Sequence, residues 1–375
     1  MNHFSSNKLQ LGVFGANVSN GCAATLAPGH FELNWPNSRH VVQLADQAGF
    51  EIMVPVARWK GFGGATNFNG TNFETLTWAS GLGSLTEHAT IFSTSHVPTL
   101  HPIVAAKQCT TADHISSGRF GLNIVCGWFE EEFRMFGSPV MEHETRYAYA
   151  AEWVEIVKKL WTVEEEFDFE GRFFKIEKGF HQPKPLRKPH PPIMNAGASP
   201  TGARFAAQYA DVAFQGLHKE TRDENKQEIA ALRRLGREEF NREFEVWSSC
   251  SVVCRPTEKE AQEYAHYYVY EKGDWVATEN LIRELGIQHS YMPPAALEKL
   301  KAKFLAGWGG TPLVGTPEQI VDKLLEISKM DINGVVLSWV NYQDELQDWI
   351  QTVLPLMEQA GLRHPYKPMT APAAR

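Results

Sequence analysis

Eight short apolar runs recur along this chain, and most are followed by a segment whose apolar residues repeat with helical spacing. LQLGVFG (9–15), EIMVPV (51–56), ATIFSTS (89–95), FGLNIV (120–125), PPIMNAG (191–197), DVAFQG (211–216), EVWSSCSVVC (245–254) and INGVVLSW (332–339) read as strands. Segments 38–50, 72–86, 101–116, 146–161, 199–210 and 315–328 read as helices between them. In RYAYAAEWVEIVKKLW (146–161), Trp153, Val154, Ile156, Val157, Leu160 and Trp161 share one face. In 315–328, Thr316 is the N-cap, Pro317 takes the first helical position, and Gln319 completes a capping box. Strand–helix alternation implies a parallel sheet, and eight units imply a closed (β/α)₈ TIM barrel with insertions. An open doubly wound sheet fits less well, because no G-x-G-x-x-G follows the first strand.

Three segments exceed a minimal barrel: 16–37, 162–190 and 272–313. They are expected as loops covering the mouth, with FDFEGRFFKI (167–176) as a hairpin turning at Glu170-Gly171. Residues 1–368 are expected to form one domain, and 369–375 a disordered tail. A chain of 375 residues that is 43% hydrophobic can bury a large core. Lys and Arg number 36 against 44 Asp and Glu, so no basic excess exists to neutralise nucleic-acid phosphates. No apolar run approaches the roughly 18 residues that would span a bilayer. The opening MNHFSSNKLQ lacks the apolar centre of a signal peptide. Five scattered cysteines fit reduced thiols in a cytoplasmic enzyme.

Barrel enzymes carry their chemistry at the C-terminal ends of strands. Those ends offer Gly15-Ala16-Asn17, Ala57-Arg58-Trp59-Lys60, Ser93-Thr94-Ser95-His96, Asn123 with Cys126-Gly127-Trp128, Asn195 through Ser199, Gln215 with His218, and Ser338-Trp339. No metal-ligand spacing and no G-x-S-x-G elbow occurs there, so neither a metallohydrolase nor a serine hydrolase is expected. Amides, hydroxyls and aromatics suit a large planar organic cofactor. NAGASPTGARF (195–205) runs through small residues into a helix with Ser199 as N-cap, an arrangement that can hold an anion or simply cap a helix.

GRFGLNIVCGWFEEEFRMFG (118–137) and HETRYAYAAEWVEIVKKLW (143–161) resemble the bacterial-luciferase-like flavin monooxygenases, in the branch holding pyrimidine and dimethylsulfone monooxygenases. KGFGG (60–64) is similar to the pyrimidine enzymes. The resemblance runs from about residue 9 to 360 and implies a two-component enzyme. Reduced FMN would come from a separate NAD(P)H:flavin reductase, and its reaction with O₂ would yield the peroxide that oxidises a small organic substrate. A nitrogen heterocycle or amide of the pyrimidine type is the first reading. Sulfone or halogenated-aromatic oxidation, an F420-dependent dehydrogenase, and a non-catalytic flavin-binding homologue are the alternatives. A homodimer or homotetramer is implied.

Position by position, the resemblance implies that Ala57, Arg58, Asn123 and Glu132 line the flavin. It implies that Arg146, Tyr147, Ala198 and Ser199 hold its phosphate side, and that Thr94 and Asn123 hold dioxygen. Arg58 stands where the pyrimidine enzymes have lysine, exchanging a point charge for a planar fork. His96 is open to acid–base, substrate-binding and structural readings. Trp59, Trp128, Phe129 and Trp339 are expected to exclude water from the pocket, although packing is the competing reading for Trp128 and Trp339. Of Glu130, Glu131 and Glu132, only Glu132 is expected in the site; the others suit an exposed helix start.

Overall fold

The computed structural model describes residues 4–137, 141–197, 199–286 and 293–367. In chain order the first half comprises β1 (Gln10–Phe14), α1 (Trp35–Gln47), β2 (Ile52–Val54), α2 (Thr75–Gly83), β3 (Thr90–His96), α3 (Pro102–Ile115), β4 (Phe120–Val125), α4 (Glu130–Met135), α5 (His143–Thr162), β5 (Phe167–Glu170) and β6 (Lys175–Gly179). The second half comprises β7 (Ile193–Asn195), α6 (Pro200–Tyr209), β8 (Val212–Phe214), α7 (Arg222–Phe240), β9 (Glu245–Cys254), α8 (Glu258–His266), α9 (Trp275–Glu284), α10 (Pro294–Gly307), β10 (Thr311–Gly315), α11 (Pro317–Ser328), β11 (Gly334–Ser338) and α12 (Tyr342–Gln359).

Eight strands close a parallel barrel in the order β1-β2-β3-β4-β7-β8-β9-β11, with β11 pairing back to β1. They are the eight runs read from the sequence: β4 and β9 keep the bounds read, β3 ends one residue later, and the others are trimmed at their ends. β2 is the clearest case: it stops at Val54, because Pro55 has no N–H to continue the ladder. A ninth strand, β10, extends into the segment expected as an insertion. The ten-residue β9 allows it: Glu245–Trp247 pairs with β8, whereas Cys250–Cys254 pairs with β10. The hairpin at β5–β6 forms, but β6 runs to Gly179 and the connection spans 171–174, a later turn than expected. The third insertion is largely helical, built from α9 and α10. Among the described residues no helix is long and apolar enough to cross a membrane.

Strand alternation divides the core in two. Outward-facing residues such as Ile91, Leu122 and Leu337 meet the helix layer. Inward-facing Ile52, Val54, Phe92, Met194, Val212, Trp247 and Val336 fill the lumen. Large rings fit there only because glycines face them. An added Cβ at Gly121 would lie 2.6 Å from the Phe92 ring, and one at Gly334 would lie 2.6 Å from the Trp247 indole. Below these, Glu245 accepts from Gln10 Nε2 at 3.2 Å and from Trp247 Nε1 at 2.7 Å. Phe4 closes the floor, edge-on to Phe92 and Trp247. The lower barrel is therefore solid, and space for chemistry exists only above it.

Because the lumen is packed to contact, Gly334→Ala should destabilise the fold by about 1–3 kcal/mol through overpacking against Trp247. Urea denaturation would measure it; a midpoint equal to the parent chain would refute the close packing described.

Candidate active site

Three loops meet above the packed lumen. Pro55 ends β2 and sends the chain across the barrel top to Arg58, which is 6% exposed. His96 ends β3, and Glu132 turns inward from the first turn of α4 at 2% exposure. Arg58 Nη1 lies 3.5 Å from Glu132 Oε1, and Arg58 Nη2 lies 3.4 Å from His96 Nε2. His96 Nδ1 faces Glu132 Oε2 at 3.8 Å. Glu132 Oε1 also accepts the backbone N–H groups of Trp59 at 2.7 Å and Lys60 at 3.1 Å. Glu131 and Glu130 instead pair in solvent with Lys60 and Arg134.

Burial decides the charges in this group. It lowers Arg58 to about 10, with Glu132 opposing, so the guanidinium stays protonated at neutral pH. Burial first and the Arg58 charge second push His96 down to about 3, so its imidazole is neutral. Arginine can only donate, so His96 Nε2 must accept and the ring proton sits on Nδ1, facing Glu132. Both ring nitrogens are thereby turned to neighbouring side chains. Of the three roles open to His96 in the sequence, this environment suits positioning.

Aromatic rings roof the group. Phe62, Trp128 and Phe129 lie nearly parallel, with interplanar angles of 12° and 17° from Phe62 to the other two. Trp308 stands edge-on to Phe62 and Trp128 and donates its Nε1–H to Asn69 at 3.0 Å. The Arg58 guanidinium carbon sits 4.7 Å from the Trp128 centroid, within cation–π range. Phe62 and Trp308, which the sequence reading did not single out, come from the loop after β2 and the third insertion. Their only advance signal was aromatic residues beside glycines in those segments.

One expected wall residue is placed otherwise, and a second stands only at a cavity rim. Trp339 follows Ser338, an inward position, and so points outward into the helix layer. It is 2% exposed and edge-on to Tyr342 and Trp349. Trp59 turns to the outer rim, 43% exposed and edge-on to Phe136.

Thr94 and Asn123, adjacent on β3 and β4, form a directed chain of hydrogen bonds. Thr94 Oγ1 donates to the Pro55 carbonyl at 2.9 Å, and Asn123 Nδ2 donates to Thr94 Oγ1 at 3.2 Å. The carbonyl can only accept, so it claims the one hydroxyl proton of Thr94, and the Asn123 amide must present nitrogen to that hydroxyl. Asn123 Oδ1 is then left buried without a partner among the described residues.

On the far side of β7, helix α6 begins at Ser199, whose Oγ accepts from Gly202 N at 3.0 Å and lies 3.2 Å from His143 Nε2. The absence of a side chain at Gly202 admits Tyr147, since an added Cβ would lie 2.6 Å from its hydroxyl. Arg146 donates from Nη1 to the Gly127 carbonyl, and its buried Nε has no partner among the described residues. Ala198 lies outside the described residues. Ala57, 8% exposed, accepts through its carbonyl from Arg58 Nε.

Unpartnered buried atoms test which ligand fits. Asn123 Oδ1 needs a donor, whereas Arg58 Nη1 and Arg146 Nε need acceptors. Gly202 N and Ala203 N at the start of α6 are already taken by Ser199, so the helix adds mainly the positive end of its dipole as a place for negative charge. A polar ring system with an anionic tail meets all of these demands, and FMN is such a molecule.

The comparisons agree with this chemistry. The luciferase-like monooxygenase family model matches residues 14–333. The pyrimidine monooxygenase of Acinetobacter baylyi is 30% identical over 350 residues, covering 91% of both chains. The FMNH₂-dependent dimethylsulfone monooxygenase of Pseudomonas putida is 27% identical over 354 residues, covering 92% of this chain and 93% of its own. Among solved structures, a riboflavin lyase with modified FMN superposes with a TM-score of 0.83 at 20% identity, covering 95% of this chain and 93% of its own. DmoA from Hyphomicrobium sulfonivorans gives 0.81 at 19%, covering 96% and 90%. At such identities the two structures speak to the fold.

The His96 environment has a consequence for stability. Its folded pKa of about 3 lies below the ordinary value of 6.5, so its contribution is complete above pH 6.5 and is lost as pH falls toward 3. Urea unfolding of the parent chain and His96→Gln across that window should differ in slope by up to about 1.4 kcal/mol per pH unit. Parallel curves would contradict the buried neutral imidazole.

Proposed function

The chain belongs to the luciferase-like monooxygenase family and is a flavin-dependent monooxygenase, and from that premise we propose that it takes reduced FMN from a separate flavin reductase and uses O₂ to oxidise a small organic substrate. A nitrogen heterocycle or amide of the pyrimidine type is the proposed substrate. The observation that carries this reading is the set of buried, unpartnered polar atoms beneath an aromatic roof. Such atoms are costly to bury unless a ligand completes them. The reduced flavin supplies the electrons that activate dioxygen.

The proposed division of work follows the geometry. Arg146, Tyr147 and Ser199 hold the phosphate at the positive end of α6, and the resemblance adds Ala198, which lies outside the described residues. Ala57 and Arg58 border the ring system, and Glu132 fixes Arg58 in place. Asn123 keeps free hydrogen-bonding capacity toward cofactor and oxygen, while Thr94, its proton already given to the Pro55 carbonyl, orients that amide. Trp128 and Phe129, with Phe62 and Trp308, keep water out. Arg58 can donate to a substrate carbonyl, which suits a pyrimidine-like ring and agrees with relatives named for that substrate. A cytoplasmic location is part of the same proposal.

Mixing the protein with chemically reduced FMN, O₂ and uracil or dimethylsulfone, with no NADH present, should give oxidised product. Product formed only from oxidised flavin plus NADH would sink the two-component reading. Asn123→Ala should lower turnover by about 100-fold, a loss larger than any accompanying weakening of FMN binding. Arg146→Ala should weaken FMN binding by about ten-fold or more. Unchanged turnover in the first and unchanged affinity in the second would overturn those roles.

A further inference from the structure

A cavity of about 290 Å³ opens beside the mouth, between α2, α3 and the end of β3. Its outer rim carries Glu74, Leu76, Gln108, and the edge-on pair Trp59 and Phe136. Its body lies on the helix side of β3, against Ser93, Ser95 and Leu122, and its inner end reaches His96 and Arg58 at the barrel top. At the low end of the usual range for small-molecule pockets, it is too small for a flavin nucleotide. It nevertheless ends where the proposed flavin site begins, while the route over Arg58 is roofed by stacked rings.

We propose that this side cavity admits and holds the organic substrate, and that it selects small uncharged molecules carrying a polarised oxygen over anions. The proposal rests on the flavin-monooxygenase reading given above.

The lining supports both halves. Polar groups on the wall are neutral, and several are already engaged: Thr75 Oγ1 donates to the Thr94 carbonyl at 2.7 Å, and Thr99 Oγ1 to the His96 carbonyl at 2.8 Å. Among the described residues Arg58 is the one lining cation, and Glu132 offsets it at 3.5 Å. A neutral carbonyl or sulfonyl oxygen can take the spare Nη1–H of Arg58 without unbalancing that pair, whereas an anion adds a charge that no second cation answers. At the rim, the Glu74 carboxylate is held in place by capping the Leu76 and Thr77 N–H groups at 2.8 and 2.7 Å. Its field reaches inward: the Cys109 thiol on the cavity wall is pushed up first by burial and then by the Glu74 charge. Lys107, the neighbouring cation on α3, is turned away to the Gln182 carbonyl.

The test places a thiol in the cavity as Ser95→Cys and compares alkylation by neutral iodoacetamide and anionic iodoacetate. Peptide mass spectrometry would separate residue 95 from the five native cysteines. The amide-to-acetate rate ratio should exceed that of N-acetylcysteine by about ten-fold, and Glu74→Gln should bring it back toward that value. A ratio equal to that of the free thiol, or no labelling by either reagent, would overturn the proposal. As a second arm, Ser95→Leu should raise KM about ten-fold for whichever of uracil or dimethylsulfone is turned over, with reduced-FMN affinity unchanged. An unchanged KM would also overturn it. A protein that binds no FMN would instead defeat the cofactor reading, with the labelling ratio still deciding the cavity.

Discussion

The mouth of this barrel is organised around one carboxylate taken out of water. Glu132 accepts two backbone N–H groups from the chain leaving β2 and lies against the Arg58 guanidinium, with the His96 imidazole close by. Desolvating an ion pair costs several kcal/mol per ion, so this arrangement persists only because several donors converge on the carboxylate. It is poor evidence for stability and good evidence for a fixed geometry. Removing either partner would leave the other charge buried and uncompensated, a loss of about 3–5 kcal/mol.

The surrounding roof follows from that geometry. A guanidinium held in plane by Glu132 and His96 offers a flat cationic face, and Trp128 stacks on it. Phe62 and Phe129 extend the stack, while Trp308 brings in the third insertion and is tied to Asn69. These contacts join an apolar cluster with Phe68, Leu281 and Leu305. Water exclusion at the mouth and docking of the insertion are therefore parts of one packing arrangement, with a charge pair at its inner end.

Much of this was legible in the sequence, for identifiable reasons. The eight barrel strands are runs of Val, Ile and Phe bounded by turn residues, and local pattern decides such runs. Thr94 and Asn123 lie at strand ends, where a barrel places polar groups, whereas their roles, and Glu132 altogether, came from the resemblance to the flavin monooxygenases. Trp339 was misplaced for a reason the same pattern contains: Val336 and Ser338 face the lumen, so Trp339 must face the helices. β10 was missed because TPLVG offers only two apolar strand formers beside a proline. Within the last insertion, the polar surface of α9 and α10 obscured their helical period. The Arg58–Trp128 contact joins residues seventy positions apart, and no local pattern reports such a pair.

Strand order gives the site a direction. Arg58 follows β2, Thr94 and His96 end β3, Asn123 lies on β4, and Ser199 follows β7, four neighbouring strands of the ring. Along that arc the chemistry changes in one sense. At the β7 end are a helix N-terminus and Arg146, which suit negative charge; at the β3 end is a cavity of neutral hydroxyls with Glu74 at its rim. Between them the Pro55–Thr94–Asn123 chain of hydrogen bonds points one unpaired acceptor into the middle. In the proposed reading, a ligand with an anionic tail places that tail at α6 and its ring toward β3.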